Sequence, residues 1–262
     1  MAGNALRVCV QTFWTPKAGN RPDEYEDAFW PQEPVLERAG ARFRCAVADG
    51  ATESSFSAAW ADLLVREFSA RQPSLTRFFG ALPSLRQAWL HRVTAQPLPW
   101  YAEDKVRQGA FASFLGLTLE KAGPKSRRFA SWSAVAVGDS CLFQVRDGCL
   151  IAAFPLTRSE QFNSRPYLIG TAATNEEQLH AHLARARGPC EPGDTFYLLT
   201  DAIACWLLRL HEEQAAGDAL AGIDSQEAFE ALVQEQRAVR DAEGRPWLKN
   251  DDVTLLRVNL GR

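Results

Sequence analysis

The chain has no apolar run approaching the ~20 residues that a membrane-crossing helix needs, so no spanning segment is expected. It also has no Cys-x-x-Cys pair. Cys9, Cys45, Cys141, Cys149, Cys190 and Cys205 are spread singly, mostly through strand-like apolar stretches. That pattern does not suit a zinc site and reads as buried thiols in a reducing compartment. Histidine is scarce: His91, His180, His182 and His211 show no ligand spacing beyond His180-x-His182, a pair expected on an exposed face. Neither sign of charge dominates. With 29 basic and 32 acidic residues the net charge is -3, which gives no reason to expect nucleic acid or anionic lipid as a partner. A local basic patch is still compatible with that balance. There is no internal repeat, no low-complexity tract and no dense Asp-x-Asp loop of the calcium-binding kind. The start, "MAGNALRVCVQTFW", lacks a continuous apolar core followed by a small-residue cleavage site, so no secretory signal is expected and the location expected is cytoplasmic.

What is present is the composition of a globular protein, 46% hydrophobic and 23% charged over 262 residues. A chain of that length buries roughly three quarters of its unfolded surface as one unit, and a single domain over 1–262 is expected. Residues 5–14 and 42–48 read as strands, with a polar, proline-containing stretch between them. Residues 54–70 carry Phe56, Trp60, Leu63, Leu64 and Phe68 at helical spacing. A second helix is expected over 76–93, interrupted by Pro83, and "QPLPWY" reads as a breaker. Strands follow over 109–119 and 128–137, then a hairpin over 141–154 turning at Asp147-Gly148. After an irregular stretch from about 155 to 174, "NEEQLHAHLARA" reads as a short helix and Gly193-Asp194 as a turn. "GDTFYLLT" is a strand, "AIACWLLRLHEEQ" and 225–239 are helices, and 252–259 is the last strand. The order predicts an α+β fold with helices packed outside a strand sandwich.

Acids recur at the edges of these apolar runs: Glu26-Asp27 in "YEDAFW", Asp49-Gly50 closing "FRCAVADG", Asp201 after "FYLLT", Asp251 and Asp252 opening "DDVTLLRV". A charge set against apolar sequence is costly unless compensated. One site at the ends of several strands, holding a hard divalent cation such as Mg²⁺ or Mn²⁺, would compensate them together.

The segments "YEDAFW", "AVADGAT", "GAFASFLGL", "AVAVGDSCLFQVRDG", "PGDTFYLLTDAIACWLL" and "NDDVTLLRV" resemble, in order and over roughly residues 5–259, the type 2C metal-dependent serine/threonine protein phosphatases. The resemblance implies a central sandwich of two antiparallel β-sheets flanked by pairs of α-helices, in four layers. It implies a centre of two divalent cations, Mn²⁺ or Mg²⁺, at one end. Position by position it makes Asp49 the acid shared by both cations and Gly50 a carbonyl ligand. Glu26 falls at the second metal, and Asp27 orients the attacking water. Asp201 and Asp251 are ligands of the first metal, and Asp139 in "GDS" is an acid of a further, weaker metal position. The sequence departs from the family pattern in four places: Ala202-Ile203 follows Asp201 where glycine is usual, Ala51 stands in place of a histidine, and "GAFASF" replaces a Gly-Ser-Thr run. The phosphate-binding arginine position holds Pro22, which leaves Arg21, one residue away, as the candidate clamp. The activity implied is hydrolysis of phosphoserine or phosphothreonine in proteins by a monomer that opposes a serine/threonine kinase. The alternative is a catalytically silent phosphatase-like module that binds a phosphoprotein or regulatory partner.

Overall fold

The computed structural model describes residues 5–51, 56–70, 75–123, 126, 128–162, 165–172, 176–213 and 219–261. Its strands are β1 (Leu6–Thr15), β2 (Ala28–Trp30), β3 (Val35–Gly40), β4 (Arg42–Ala48), β5 (Phe111–Ala112), β6 (Phe114–Lys121), β7 (Ala130–Val137), β8 (Cys141–Arg146), β9 (Cys149–Phe154), β10 (Ile169–Gly170), β11 (Ala184–Cys190), β12 (Thr195–Leu199) and β13 (Val253–Leu260). Its helices are α1 (Ser57–Ala70), α2 (Leu75–Val93), α3 (Trp100–Gln108), α4 (Glu176–Ala181), α5 (Asp201–Glu212) and α6 (Gln226–Ala238). One sheet runs β3-β1-β13-β12-β8-β9 and a second β11-β7-β6-β4-β2, while β10 and β5 form a small ribbon. Every pairing is antiparallel.

Period-two alternation builds the layers. Phe43, Cys45 and Val47 of β4, Leu115, Leu117 and Leu119 of β6, and Leu256, Val258 and Leu260 of β13 meet in one apolar cluster between the sheets. The opposite faces point outward. Ala46 and Ala48 with Phe114, Val135 and Val137 pack under Trp60, Leu64 and Phe68 of α1 and Phe78, Leu82 and Trp89 of α2. On the other side Phe143, Tyr197, Leu199 and Leu255 pack under Ile203, Trp206 and Leu207 of α5 and Phe229 and Val233 of α6. Three cores between four layers are the expected αββα sandwich. Gly116 lets α1 approach: a Cβ there would lie 2.5 Å from the Phe68 ring.

The hairpin turn at Asp147-Gly148 has φ of 50° and 76°, the two positive values of a type I′ turn. Other local expectations need correction. Pro83 does not interrupt α2, which runs through it. The apolar face from Phe78 to Val93 and the Trp89 Nε1–H donated to the Phe56 carbonyl at 3.2 Å outweigh one lost backbone bond. "QPLPWY" ends in a helix start, because Pro99 stands just before α3, where the first N–H groups have no intrahelical partner. The helix expected through Ala186 stops at Ala181, and β11 begins at Ala184. There Ala184, Ala186 and Cys190 face the inter-sheet core, while Arg185 and Arg187 face out. Pro189 is tolerated because β11 is an edge strand. The polar stretch before β4 contributes β2 and the mostly exposed edge strand β3. All six cysteines are free; three are buried, but Cys9 and Cys205 are half-buried and Cys149 is exposed. No described helix is long and apolar enough to cross a membrane.

Candidate active site

Five chain segments bring acids to one end of the sandwich: the turn before β2, the end of β4, the β7–β8 turn, the start of α5 and the residues opening β13. Backbone and side-chain bonds lock them together. Gly50 bridges to Ala112, and the Ser113 N–H donates to the Asp49 carbonyl at 2.8 Å. The Ser113 and Ser140 hydroxyls, 2.6 Å apart, tie that segment to the turn carrying Asp139. Asp252 accepts the backbone N–H of Glu26 at 2.6 Å and of Lys17 at 2.8 Å, joining the start of β13 to the loop before β2. Thr254 donates its hydroxyl to Asp27 Oδ2 at 2.7 Å, bonds the Tyr25 hydroxyl, and gives its N–H to Thr200 Oγ1 at 2.9 Å. Since β2 and β13 belong to different sheets, these bonds close the sandwich at the acid end. Gly50 sits where no side chain fits: a Cβ would lie 2.5 Å from the Glu26 carbonyl oxygen and 2.9 Å from Ser57 Cβ. Glu26 in turn accepts the Ser57 hydroxyl at 2.7 Å.

The electrostatics show that the carboxylates share one cleft. Asp49 is held well above the usual carboxylate range, first by burial and then by Asp27, Asp201, Asp139 and Asp251. Asp27 is raised by burial, more than its bond from Thr254 lowers it, with Asp252 and Asp201 adding to the rise. Asp139 is pushed up to about 7 by burial, with Asp201 next. Asp201 is raised by burial despite Lys249. Burial, with Asp27, Asp252 and Asp49, also raises Tyr25. Two cations stand against the cluster: Lys249 Nζ lies 2.6 Å from Asp251 and 3.4 Å from Asp201, and Arg237 donates Nη2 to the Asp251 carbonyl within reach of the Asp252 and Asp251 charges. Burial would lower the Lys249 ammonium, but the two carboxylates outweigh it and keep it charged.

Among the described residues no three acidic, histidine or cysteine side chains are gathered tightly enough to hold an ion as they stand. The donor set nevertheless fits a hard divalent cation. It is all carboxylate and carbonyl oxygen, several of its acids are raised by burial and by one another, and Asp27 Oδ1 is buried without a hydrogen-bond partner.

Asp27, Asp49, Asp139, Asp201 and Asp251 are thus brought within mutual electrostatic reach, and Glu26 and Gly50 are held against each other at their edge. Among the described residues Arg21 makes no bond or ion pair with them. It is exposed and bonded to Asp23 at 3.1 Å and paired with Glu24 at 3.6 Å, within its own turn. Lys249, Tyr25, Thr254 and Thr200 belong to the cleft and were not singled out in the sequence. For Thr254 and Thr200 the signal was a hydroxyl at a strand end beside an acid, and for Lys249 a lone base two residues before Asp251.

Protonation of the cleft carries a stability consequence. Asp139 has a folded pKa of about 7, above its unfolded value of ~3.9. Its contribution is therefore complete below about pH 4 and lost as pH rises through about 7. The metal-free wild type is expected to lose melting temperature between about pH 5 and about pH 8 relative to Asp139→Asn. Parallel curves would contradict the burial of this charge.

Comparison with solved structures identifies the architecture. PppA, a key regulatory component of T6SS in Pseudomonas aeruginosa, matches 98% of this chain and 100% of its own at 20% identity and a TM-score of 0.55. The Mycobacterium tuberculosis serine/threonine phosphatase PstP/Ppp matches 98% of this chain and 100% of its own at 14% identity and a TM-score of 0.60. This chain has the type 2C phosphatase fold. The catalytic domain of the serine/threonine phosphatase PstP in complex with two manganese ions matches 97% of this chain and 100% of its own, at 14% identity and a TM-score of 0.55. No family model and no curated protein sequence matches the chain. Within the type 2C fold, Ala202 and Ile203, where glycine is usual, are buried in the α5 core rather than forming an open turn.

Proposed function

We propose that the protein hydrolyses phosphoserine or phosphothreonine in proteins, using Asp49, Asp201, Asp251, Glu26, the Gly50 carbonyl and Asp139 to hold divalent cations. The single observation that carries this reading is the convergence of buried carboxylates, tied together by the Asp252, Thr254 and Ser113 bonds, at one end of a type 2C fold. When bound, Mn²⁺ or Mg²⁺ supplies charge neutralisation for the phosphate and a nucleophilic water. Asp49 sits centrally, coupled to four other acids, and is assigned the shared position. Asp27, anchored by Thr254, has one oxygen left to orient the attacking water and take its proton. Gly50, having no side chain, lets the chain after β4 pack directly against the Glu26 carbonyl and Ser57, which fixes its own carbonyl beside Glu26. The solved phosphatases of this fold support a phosphoprotein substrate, and hence a serine/threonine kinase acting on the same substrate. The chain is proposed to act as a monomer in the cytoplasm. Arg21 reaches the phosphate only if it leaves Asp23 and Glu24.

Release of phosphate from phosphoserine and phosphothreonine peptides in Mn²⁺, abolished by chelator and restored by excess Mn²⁺, is the expected outcome. A folded protein that binds such peptides without turnover in any divalent cation would favour the silent module. Lys249 gives a separate test, because an ammonium between two proposed ligands competes with a cation for them. Lys249→Met is expected to tighten Mn²⁺ binding by about three- to tenfold, read by calorimetry. Unchanged or weakened binding would remove Lys249 from the cleft's charge balance.

A further inference from the structure

Away from the acid cleft, the outer face of the five-stranded sheet carries a second feature, a basic groove. There a cavity of about 490 Å³ opens beside α1 and α2, within the range of small-ligand pockets. Its floor follows from register. Arg44 of β4 pairs with Thr118 of β6, Thr118 with Ser133 of β7, and Ser133 with Arg187 of β11. Residues paired across a sheet share a face, so one row places two hydroxyls between two arginines. The end Cα atoms are three strand spacings apart, ~14 Å. Arg42 and Arg185 stand in the flanking rows, opposite Glu120 and Val135.

The two ends differ. At the β4 end Arg42 is paired with Glu120, and the Arg44 guanidinium lies over the Phe68 ring, 5.8 Å from its centroid. Phe68 and Phe78 form the wall there. At the β11 end Arg185 and Arg187 are exposed, and neither forms an ion pair among the described residues. Four guanidiniums and one carboxylate line a cavity in a chain whose net charge is -3. Such a concentration of arginine, against the overall balance, marks a site for an anion.

We propose that this groove binds a nucleoside polyphosphate. The phosphates lie against Arg185 and Arg187, whose forked donors match phosphate oxygens. Ser133 and Thr118 hydrogen-bond the sugar along the row. The base stacks on the planar Arg44 guanidinium and the aromatic wall behind it. An inorganic anion would engage only one end of the row. A nucleic-acid strand would need a basic stripe continuing beyond the cavity. A mononucleotide of the diphosphate class has both the charge and the flat apolar part that the two ends require. Because Arg44 belongs to β4, which leads directly into Asp49 and Gly50, and Phe68 belongs to the helix that begins beside Glu26 at Ser57, a ligand here contacts two elements that also build the acid cleft.

Calorimetric titration of chelator-treated protein with ADP and with GDP tests this, with pyrophosphate and adenosine as the two halves of the ligand. At least one nucleotide is expected to bind, and each half at least about tenfold more weakly. The double variant Arg185→Gln/Arg187→Gln, both exposed and so not needed for folding, is expected to weaken nucleotide binding by at least about tenfold. Asp49→Asn is expected to leave it unchanged. No heat with either nucleotide, equal binding of pyrophosphate, or equal affinity in the double variant would overturn the proposal. Loss of binding in Asp49→Asn would also overturn it, by placing the nucleotide in the acid cleft. None of these outcomes depends on phosphatase activity.

Discussion

Asp49→Asn is expected to abolish metal-dependent phosphate release while making the metal-free protein more stable. The two effects have one cause. Asp49 carries a charge that burial and four neighbouring acids make unfavourable in the fold. The amide has nearly the same shape and no charge, so the repulsion with Asp27, Asp201, Asp139 and Asp251 disappears. Melting temperature in chelator is expected to rise by roughly 2–4 °C for each kcal/mol relieved in a chain of this size. The same charge is what the cations would share, and activity in saturating Mn²⁺ is expected to fall by about three orders of magnitude or more. The stabilisation should vanish below about pH 4, where the wild-type carboxyl is already protonated in both folded and unfolded states. A variant less stable than wild type in chelator at neutral pH would contradict the raised charge at this position. Asp139→Asn is expected to lose much less activity at saturating metal, since its assignment is to a weaker extra position.

Asp194→Ala is expected to damage the fold severely, and to act far from the cleft. The Asp194 side chain is fully buried. It accepts Arg146 Nε at 2.6 Å and Nη2 at 2.9 Å, Gln144 Nε2 at 2.8 Å and the Glu191 N–H at 2.9 Å. Gln144 also accepts the Trp132 indole N–H at 2.8 Å, so the network crosses from one sheet to the other through the central core. Burial alone would raise Asp194, but Arg146, the Glu191 N–H and Gln144 outweigh it and hold the carboxyl below its usual value. Removing the carboxylate takes away the buried acceptor of Arg146 and Gln144, leaving Arg146 with Glu191 and Gln144 with the Pro189 carbonyl, a loss of about 3 kcal/mol, or on the order of 10 °C in melting temperature. A group with a depressed folded pKa stabilises above its unfolded value and loses that contribution as pH falls through the folded one. The difference between wild type and Asp194→Ala is therefore expected to be full above about pH 4 and to shrink below it. A loss of less than about 1 kcal/mol in denaturant unfolding would mean that the network is replaced by water.

Particular residues show what was legible in advance. The alternating runs of β4, β6, β7, β12 and β13 and the helical spacing of Trp60, Leu64 and Phe68 carry their own periods, so the sandwich and its main helices could be read directly. The acids at strand edges were conspicuous because charge beside apolar sequence needs a reason. The short strands β2, β3 and β11 were not legible. β11 reads "ARARGPC", and its small alanines serve a strand only because β7 lies beside it. The same strand hid the basic groove, since Arg185 and Arg187 join Arg44 only through cross-strand register. Asp194 looked like a turn residue because its partners, Gln144 and Arg146, lie 50 and 48 residues away. Lys249 was overlooked for a related reason: its two carboxylates come from a loop and a helix start that only the fold brings together.

The most direct measurement of the central claim is the rate of phosphate release from an aryl phosphate by purified wild type, titrated with Mn²⁺ from a chelator-stripped start. Release should be absent without metal, rise and saturate with Mn²⁺, and track an upward shift in melting temperature over the same concentrations. A melting temperature indifferent to Mn²⁺ at every concentration, or release that persists undiminished in chelator, would mean that the acids at the end of the sandwich do not form a metal-dependent hydrolytic centre.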